Sequence, residues 1–218
     1  MANQYFTEFS QYAFLVQFLI TLVVTIYLYF KYKSDWYTFE KYFFSFFVLI
    51  TASNLLAIFY ITDTGIPYAL VVILSNFALV ILLMAGETLM GVENKLLLYV
   101  LPILLFLYDS TLQFLFYNGF GIDEKIFRAL TGINILLFTL PSLIIYIYLT
   151  YKTNDISIAF FVLALILYIA GGFTLTSLGE KGMAGFYIAA VVCFAIATVL
   201  PIIRNRLQSM SAASSATT

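Results

Sequence analysis

The chain has 218 residues, 63% of them hydrophobic and 10% charged, with a net charge of −1. Soluble domains carry about 25% charged residues, so this composition suits a bilayer, whose core penalises ions and rewards apolar surface. Histidine is absent and Cys193 is the one cysteine; this removes His- and Cys-ligated haem, zinc and iron–sulfur sites, His-based acid–base catalysis and a disulfide within the chain, and the scattered Lys and Arg residues form no nucleic-acid patch.

The segment Met1 to Glu8 lacks a basic n-region, and no small-residue cleavage site follows it. The first apolar run is therefore expected to act as its own uncleaved signal. Crossing the hydrocarbon core takes about 20 apolar residues, and the chain divides into seven such runs. The first covers Phe9 to Phe30 and stops at Lys31, Lys33 and Asp35. The second, Phe39 to Ile61, ends at the turn Asp63-Thr64-Gly65-Ile66-Pro67, whose proline suits the first turn of a helix. The third runs to Met84 and meets Gly86-Glu87-Thr88 and Gly91-Val92-Glu93-Asn94-Lys95.

A fourth run, Leu96 to Phe116, leads into the longest loop, Tyr117 to Glu124. The fifth spans Ile126 to Leu149 and the sixth Ile156 to Leu175; Gly179-Glu180-Lys181-Gly182 then precedes the seventh, Phe186 to Ile203. From Arg204 the chain turns polar, and its Ser/Ala/Thr-rich end reads as a disordered tail, 204–218. The expectation is an all-α integral membrane protein of the cell membrane, with a single seven-helix domain over 1–203.

Orientation follows the bias of Lys and Arg toward the cytoplasm. With the N-terminus outside, Lys31, Lys33, Lys41, Lys95, Lys152, Arg204 and Arg206 lie inside, against Lys125, Arg128 and Lys181 outside. This places the C-terminus in the cytoplasm. Tyr5, Trp36, Tyr37 and Tyr117 fall at run ends, where interfacial aromatic residues gather.

An internal repeat is visible at one offset. Ile26-Tyr27-Leu28-Tyr29-Phe30-Lys31-Tyr32-Lys33-Ser34-Asp35 parallels Ile145-Tyr146-Ile147-Tyr148-Leu149-Thr150-Tyr151-Lys152-Thr153-Asn154, and Tyr68, Val72, Ala78 and Val80 meet Tyr187, Val191, Ala197 and Val199. Segments 9–91 and 126–203 would then be parallel repeats joined by linker helix 96–116; chance matching in a chain rich in Tyr, Ile and Leu is the alternative. This three-plus-one-plus-three plan resembles that of the SWEET sugar transporters, the KDEL receptors, the TRIC-type cation channels and the microbial rhodopsins. The resemblance is one of topology over the whole chain, and parallel repeats in transporters place the substrate site between the halves.

Family signatures narrow that resemblance. The seventh run, Phe186 to Ile203, holds no lysine, which excludes retinal attached through a Schiff base. The matched prolines of SWEET-type carriers are half present, with Pro141 in the fifth run and none in the first. The glycine-rich signatures of the cation channels and a Pro-Gln pair are missing.

Chemistry is left to a few polar residues inside the runs. Asp109, in Phe106-Leu107-Tyr108-Asp109-Ser110-Thr111-Leu112-Gln113, sits roughly 13 Å below the outer end of its helix at the usual rise per residue. A carboxylate at such a depth costs on the order of 3 kcal/mol on insertion scales, so it faces a cavity or a partner, or stays protonated. Gln113 follows one turn on, on the same face. Gln17, Asn54, Asn76 and Asn134 fall roughly 12–15 Å from the outer ends of their own helices. Five helices thus bring a polar side chain to one level, a layer with a single acid as a proton or cation site requires. The competing reading is interhelical glue, at about 0.6 kcal/mol per contact.

Glu87, near the cytoplasmic end of the third run, is the second candidate; it would pair with Lys41 or Lys95, or snorkel to the interface. Gly171-Gly172 suits either close helix packing or a hinge, Pro102, Pro141 and Pro201 are candidate kinks, and Cys193 reads as a packing residue. No catalytic constellation, metal-ligand set or cofactor motif is present, so an enzyme is not expected. Three functions remain: a small-solute or ion carrier or ligand-responsive protein, linked to a proton or cation through Asp109; a non-catalytic subunit of a larger membrane complex; or a receptor signalling through a separate cytoplasmic protein. The bilayer is the expected partner in each, with a small solute or cation, other membrane subunits or a second copy besides.

Overall fold

The computed structural model describes residues 8–32, 38–61, 66–91, 93–94, 96–119, 121–174 and 179–215. Among these the chain is all-helical. The helices are α1 (Glu8–Tyr32), α2 (Thr38–Tyr60), α3 (Ile66–Leu89), α4 (Leu101–Tyr117), α5 (Glu124–Thr153), α6 (Ile156–Thr174) and α7 (Gly179–Ser215). A π-helical segment, Leu96–Val100, leads directly into α4. Five helical stretches are long and apolar enough to cross a membrane, namely Phe9–Tyr32, Glu40–Tyr60, Ile66–Leu89, Leu136–Thr153 and Gly179–Leu200; Leu101–Tyr117 and Ile156–Gly172 are shorter apolar helices.

Helices α3 and α7 reach well beyond the runs expected from hydropathy, α7 at both ends. α3 continues through Gly86-Glu87-Thr88, because Gly86 packs tightly on α5: a Cβ there would sit 2.9 Å from Ile145 Cγ2. α7 begins at Gly179, so Glu180-Lys181-Gly182 forms its first turn and not a loop, with Glu180 where the N-terminal end of the helix dipole favours an acid. α7 also runs on to Ser215, through residues expected to be a disordered tail; Arg, Leu, Gln, Met and Ala, which populate that stretch, are good helix formers.

Consecutive helices pack side by side, and α7 returns to α1, so that α1, α2, α3, α5, α6 and α7 close a ring. α3 and α5 touch directly, and α4 lies against those two helices. The end of α1 near Ser10 meets the start of α7 at Glu180, while Tyr68, Tyr117 and Phe127 bring the start of α3, the end of α4 and the start of α5 together. This is the N-terminal face of the bundle. On the opposite face Tyr42 of α2 donates to Tyr99 beside α4.

The interior near that opposite face is aromatic. Phe43 and Phe46 of α2 meet Phe161 of α6 and Phe194 of α7 edge-on, at centroid distances of 4.8 and 5.1 Å, and Tyr146 of α5 stacks on Phe161 at 5.3 Å. Such edge and offset contacts suit ring quadrupoles and add to what burial alone supplies. Polar contacts cross several of the seams. Thr25 and Thr51 join α1 to α2 at 3.1 Å, Ser53 donates to Val71 O in α3 at 2.9 Å, and the Tyr146 hydroxyl donates to Leu82 O in α3 at 3.2 Å. The Ser10 N–H and hydroxyl both donate to Glu180 Oε1, closing the ring between α1 and α7. Small hydroxyls of this kind let helices approach while their polarity stays satisfied in lipid.

Candidate functional site

The site forms on the seam between α3 and α4. These helices are antiparallel, and their register is read from three contacts. Tyr68 meets Tyr117 edge-on at 5.1 Å near the N-terminal face, and Phe77 stacks on Phe106 at 4.7 Å deeper in. Between them Asn76 Nδ2 donates to Asp109 Oδ2 at 2.5 Å. On both helices the polar pair lies about two turns, or about 12 Å, inward of the tyrosine pair. Gln113 falls between the two levels on the buried stripe of α4 that also carries Pro102, Asp109 and Leu112. Asp109 is 0% exposed, Gln113 1% and Asn76 1%.

The Asn76 amide is one of the groups that face Asp109 in this enclosure. Ser110, the next residue, has a buried hydroxyl oxygen without a hydrogen-bond partner.

The other members of the expected polar layer are Gln17 of α1, Asn54 of α2 and Asn134 of α5. Gln17 lies on the buried stripe of α1, with Ser10, Ala13, Thr21, Val24 and Leu28, and that spacing marks the face turned toward the bundle. Asn54 occupies the matching position on α2, in line with Phe43, Phe47, Ala57 and Ile61. Both amides are buried, and Gln17 Nε2 and Asn54 Nδ2 have no hydrogen-bond partner. α4 packs on neither α1 nor α2 among the described residues, whereas α2 packs on α3. Asn134 lies in α5, and its side chain is outside the described residues.

Glu87 stands three turns from Asn76 along α3 and on the same face, since eleven residues bring an α-helix back to within about 20°. It is half-buried, and its Oε2 is enclosed without a hydrogen-bond partner. The alternatives of a pairing with Lys41 or Lys95 or of snorkelling differ in one respect: Lys41 is exposed, and Lys95 is outside the described residues.

Two tyrosines stand outside the expected set of site residues. Tyr168 of α6 and Tyr187 of α7 stack at 5.2 Å, at about the depth of the amides. Their signal was present as spacing: Tyr168 continues the stripe Phe161, Ala164, Gly171, and Tyr187 the stripe Met183, Ala190, Phe194, Ala197. Gly171 serves packing, since a Cβ there would lie 2.6 Å from Tyr187 Cε1. No group of three His, Cys, Asp or Glu side chains comes together among the described residues.

No protein-family model matches the chain, and no curated protein or solved structure does so either. The functional reading therefore rests on the site itself.

Proposed function

We propose that the protein is a multi-pass integral protein of the cell membrane that carries a small solute or ion, linked to a proton or cation bound at Asp109. In this reading all seven helices cross the bilayer, the N-terminal face is outside and the C-terminus is cytoplasmic. Seven basic residues against three favour that orientation. The π-helical segment lengthens the fourth span, and the symmetric set of neighbours supports the three-plus-one-plus-three repeat: α1 with α2 and α5 with α6, α2 with α3 and α6 with α7, α3 with α5 and α7 with α1.

One observation carries the proposal: a fully enclosed carboxyl, held by an amide on the facing helix, at a depth where a bilayer offers no water. A side chain this costly to insert is retained where it binds a charge or moves one. Gln113 extends the polar path toward the N-terminal face. Gln17 and Asn54 offer free amide donors to a solute with oxygen acceptors.

Purification in mild detergent, with native mass spectrometry of everything that stays bound, tests the reading. Recovery alone or as a homo-oligomer, with a bound small molecule whose retention Asp109→Asn abolishes, is expected. Recovery in fixed ratio with other membrane subunits, or retention unchanged by Asp109→Asn, would sink it. Binding without solute movement in proteoliposomes would turn the same site into that of a receptor.

A further inference from the structure

Four helices of the ring share one pattern. Gln17 stands seven residues from Val24 on α1, Asn54 seven from Phe47 on α2, Tyr168 seven from Phe161 on α6 and Tyr187 seven from Phe194 on α7. Val24, Phe47, Phe161 and Phe194 belong to one buried cluster. Its rings meet across the bundle, Phe46 on Phe194 at 5.1 Å and Phe161 on Phe194 at 5.7 Å. Seven residues carry a helix about 10 Å along its axis and back to within about 20° of the same direction. Gln17, Asn54, Tyr168 and Tyr187 therefore look into the ring above that aromatic floor, on the side of the N-terminal face.

Two contacts set their heights. Ser10 bonds to Glu180, so Gln17 and Tyr187, each seven residues further in along parallel helices, come level. Thr25 meets Thr51 at 3.1 Å across the antiparallel α1 and α2, which sets Asn54 roughly 7 Å deeper than Gln17. Tyr168 and Tyr187 stack at 5.2 Å with their planes 23° apart and make a flat wall. Gln17 is 4% exposed and Asn54 5%, yet Gln17 Nε2 and Asn54 Nδ2 have no hydrogen-bond partner. We infer that this part of the ring binds an uncharged flat ring compound bearing carbonyl oxygens, which accept from Gln17 and Asn54 while its face lies along Tyr168 and Tyr187. That compound is the solute of the carrier reading above, on which this assignment rests.

The class follows from the walls. Both unpartnered groups are N–H donors, and a buried donor left unpaired is costly. Their complement is an acceptor that brings few donors of its own, as a carbonyl oxygen does and a polyol does not. α6 holds no charged residue, and those of α1, α2 and α7 stand at least six residues along the helix from these side chains, so the four walls favour a neutral solute over an ion. Aromatic faces add stacking that a flat ring satisfies, and the stagger of the two donors suits carbonyls at both ends of one ring. Such a ring has two sources, the headgroup of a lipid-soluble quinone or a free heterocycle.

The test uses the intact protein in nanodiscs and saturation-transfer NMR with named probes. Duroquinone stands for the membrane source and uracil for the water-soluble one; benzoate, benzylamine and sorbitol are the charged and polyol controls. Binding of duroquinone or of uracil, in preference to all three controls, is expected, and whichever of the two binds identifies the source. Gln17→Leu and Asn54→Leu should each weaken that binding by about tenfold. Both should melt no lower than the parent, because an unpaired buried amide gives way to an apolar side chain of similar size. Binding of neither ring, preference for a control, or binding unchanged in both leucine variants would overturn the inference. Loss of binding with a clear fall in melting temperature would also overturn it, since amides that only join helices behave in that way. Binding lost in Asp109→Asn but kept in both leucine variants would remove this assignment alone, and the reverse pattern would remove the Asp109 reading alone.

Discussion

Asn76 and Asp109 meet across the α3/α4 seam, the Asn76 amide donating to the Asp109 carboxyl at 2.5 Å with both side chains almost wholly enclosed. A hydrogen bond to a buried acid is worth more than the same bond in water, and leaving either partner alone is costly. Asn76→Ala is therefore expected to destabilise the protein by about 1–3 kcal/mol. Replacing Asn76 and Asp109 together by leucine should cost less than the sum of the two single changes, since the bond between them is then lost once and not twice. Thermal unfolding in detergent checks both; a double variant as unstable as the sum of the singles would show that the two residues are not coupled.

Gly171 and Gly185 make a matched pair on α6 and α7. A Cβ on Gly171 would press on the Tyr187 ring at 2.6 and 2.7 Å, whereas nothing lies within 4 Å of one on Gly185. Gly171→Ala should lower stability by about 1–3 kcal/mol through overpacking. Gly185→Ala should raise it by up to about 1 kcal/mol through helix propensity. Melting temperatures that moved the same way for both would refute the packing role assigned to Gly171.

Tyr146 ties α5 to α3 through its hydroxyl on Leu82 O, at the place where Gly86 lets the two helices close. Tyr146→Phe keeps the ring stacked on Phe161 and removes only the hydrogen bond. A loss of about 1 kcal/mol is expected, with retention of any bound solute unchanged. Chemical denaturation beside a binding assay separates the two effects.

The ring closes at Ser10 and Glu180, whose carboxylate oxygen accepts from both the N–H and the hydroxyl of Ser10. Glu180→Gln retains an acceptor oxygen and should behave like the parent. Glu180→Ala removes it, and the ends of α1 and α7 should spread. Spin labels on exposed sites of the two helices would report a broader distance distribution for the alanine variant alone; equal distributions for all three proteins would mean that the contact does not hold the ring.

Much of this architecture was legible before any coordinates. Apolar runs of bilayer length mark the helices, because lipid leaves no other partner for the main-chain N–H and C=O groups. Depth was legible too: a helix rises by a constant amount per residue, so Asp109, Asn76, Gln17 and Asn54 could be assigned to one level from their positions alone. Helix ends were read less well at Gly86 and Gly179–Gly182. Glycine marks a break in water, but packing against a neighbour overrides that preference, as the tight fit of Gly86 on Ile145 shows.

What only the tertiary structure decided is rotation and partnership. Depth says nothing about which way a side chain points, and that depends on how two helix surfaces interlock. The interlock of α3 with α4 brought Asn76 to Asp109, while Gln17 and Asn54 stand on helices that do not touch α4 among the described residues. The packing of α3 on α5 also gathered Leu79, Val80 and Met84 with Phe138 into one buried apolar cluster. The sequence by itself determined that a single acid would lie deep in a nearly ion-free bundle; the packing of α3 determined what that acid would face.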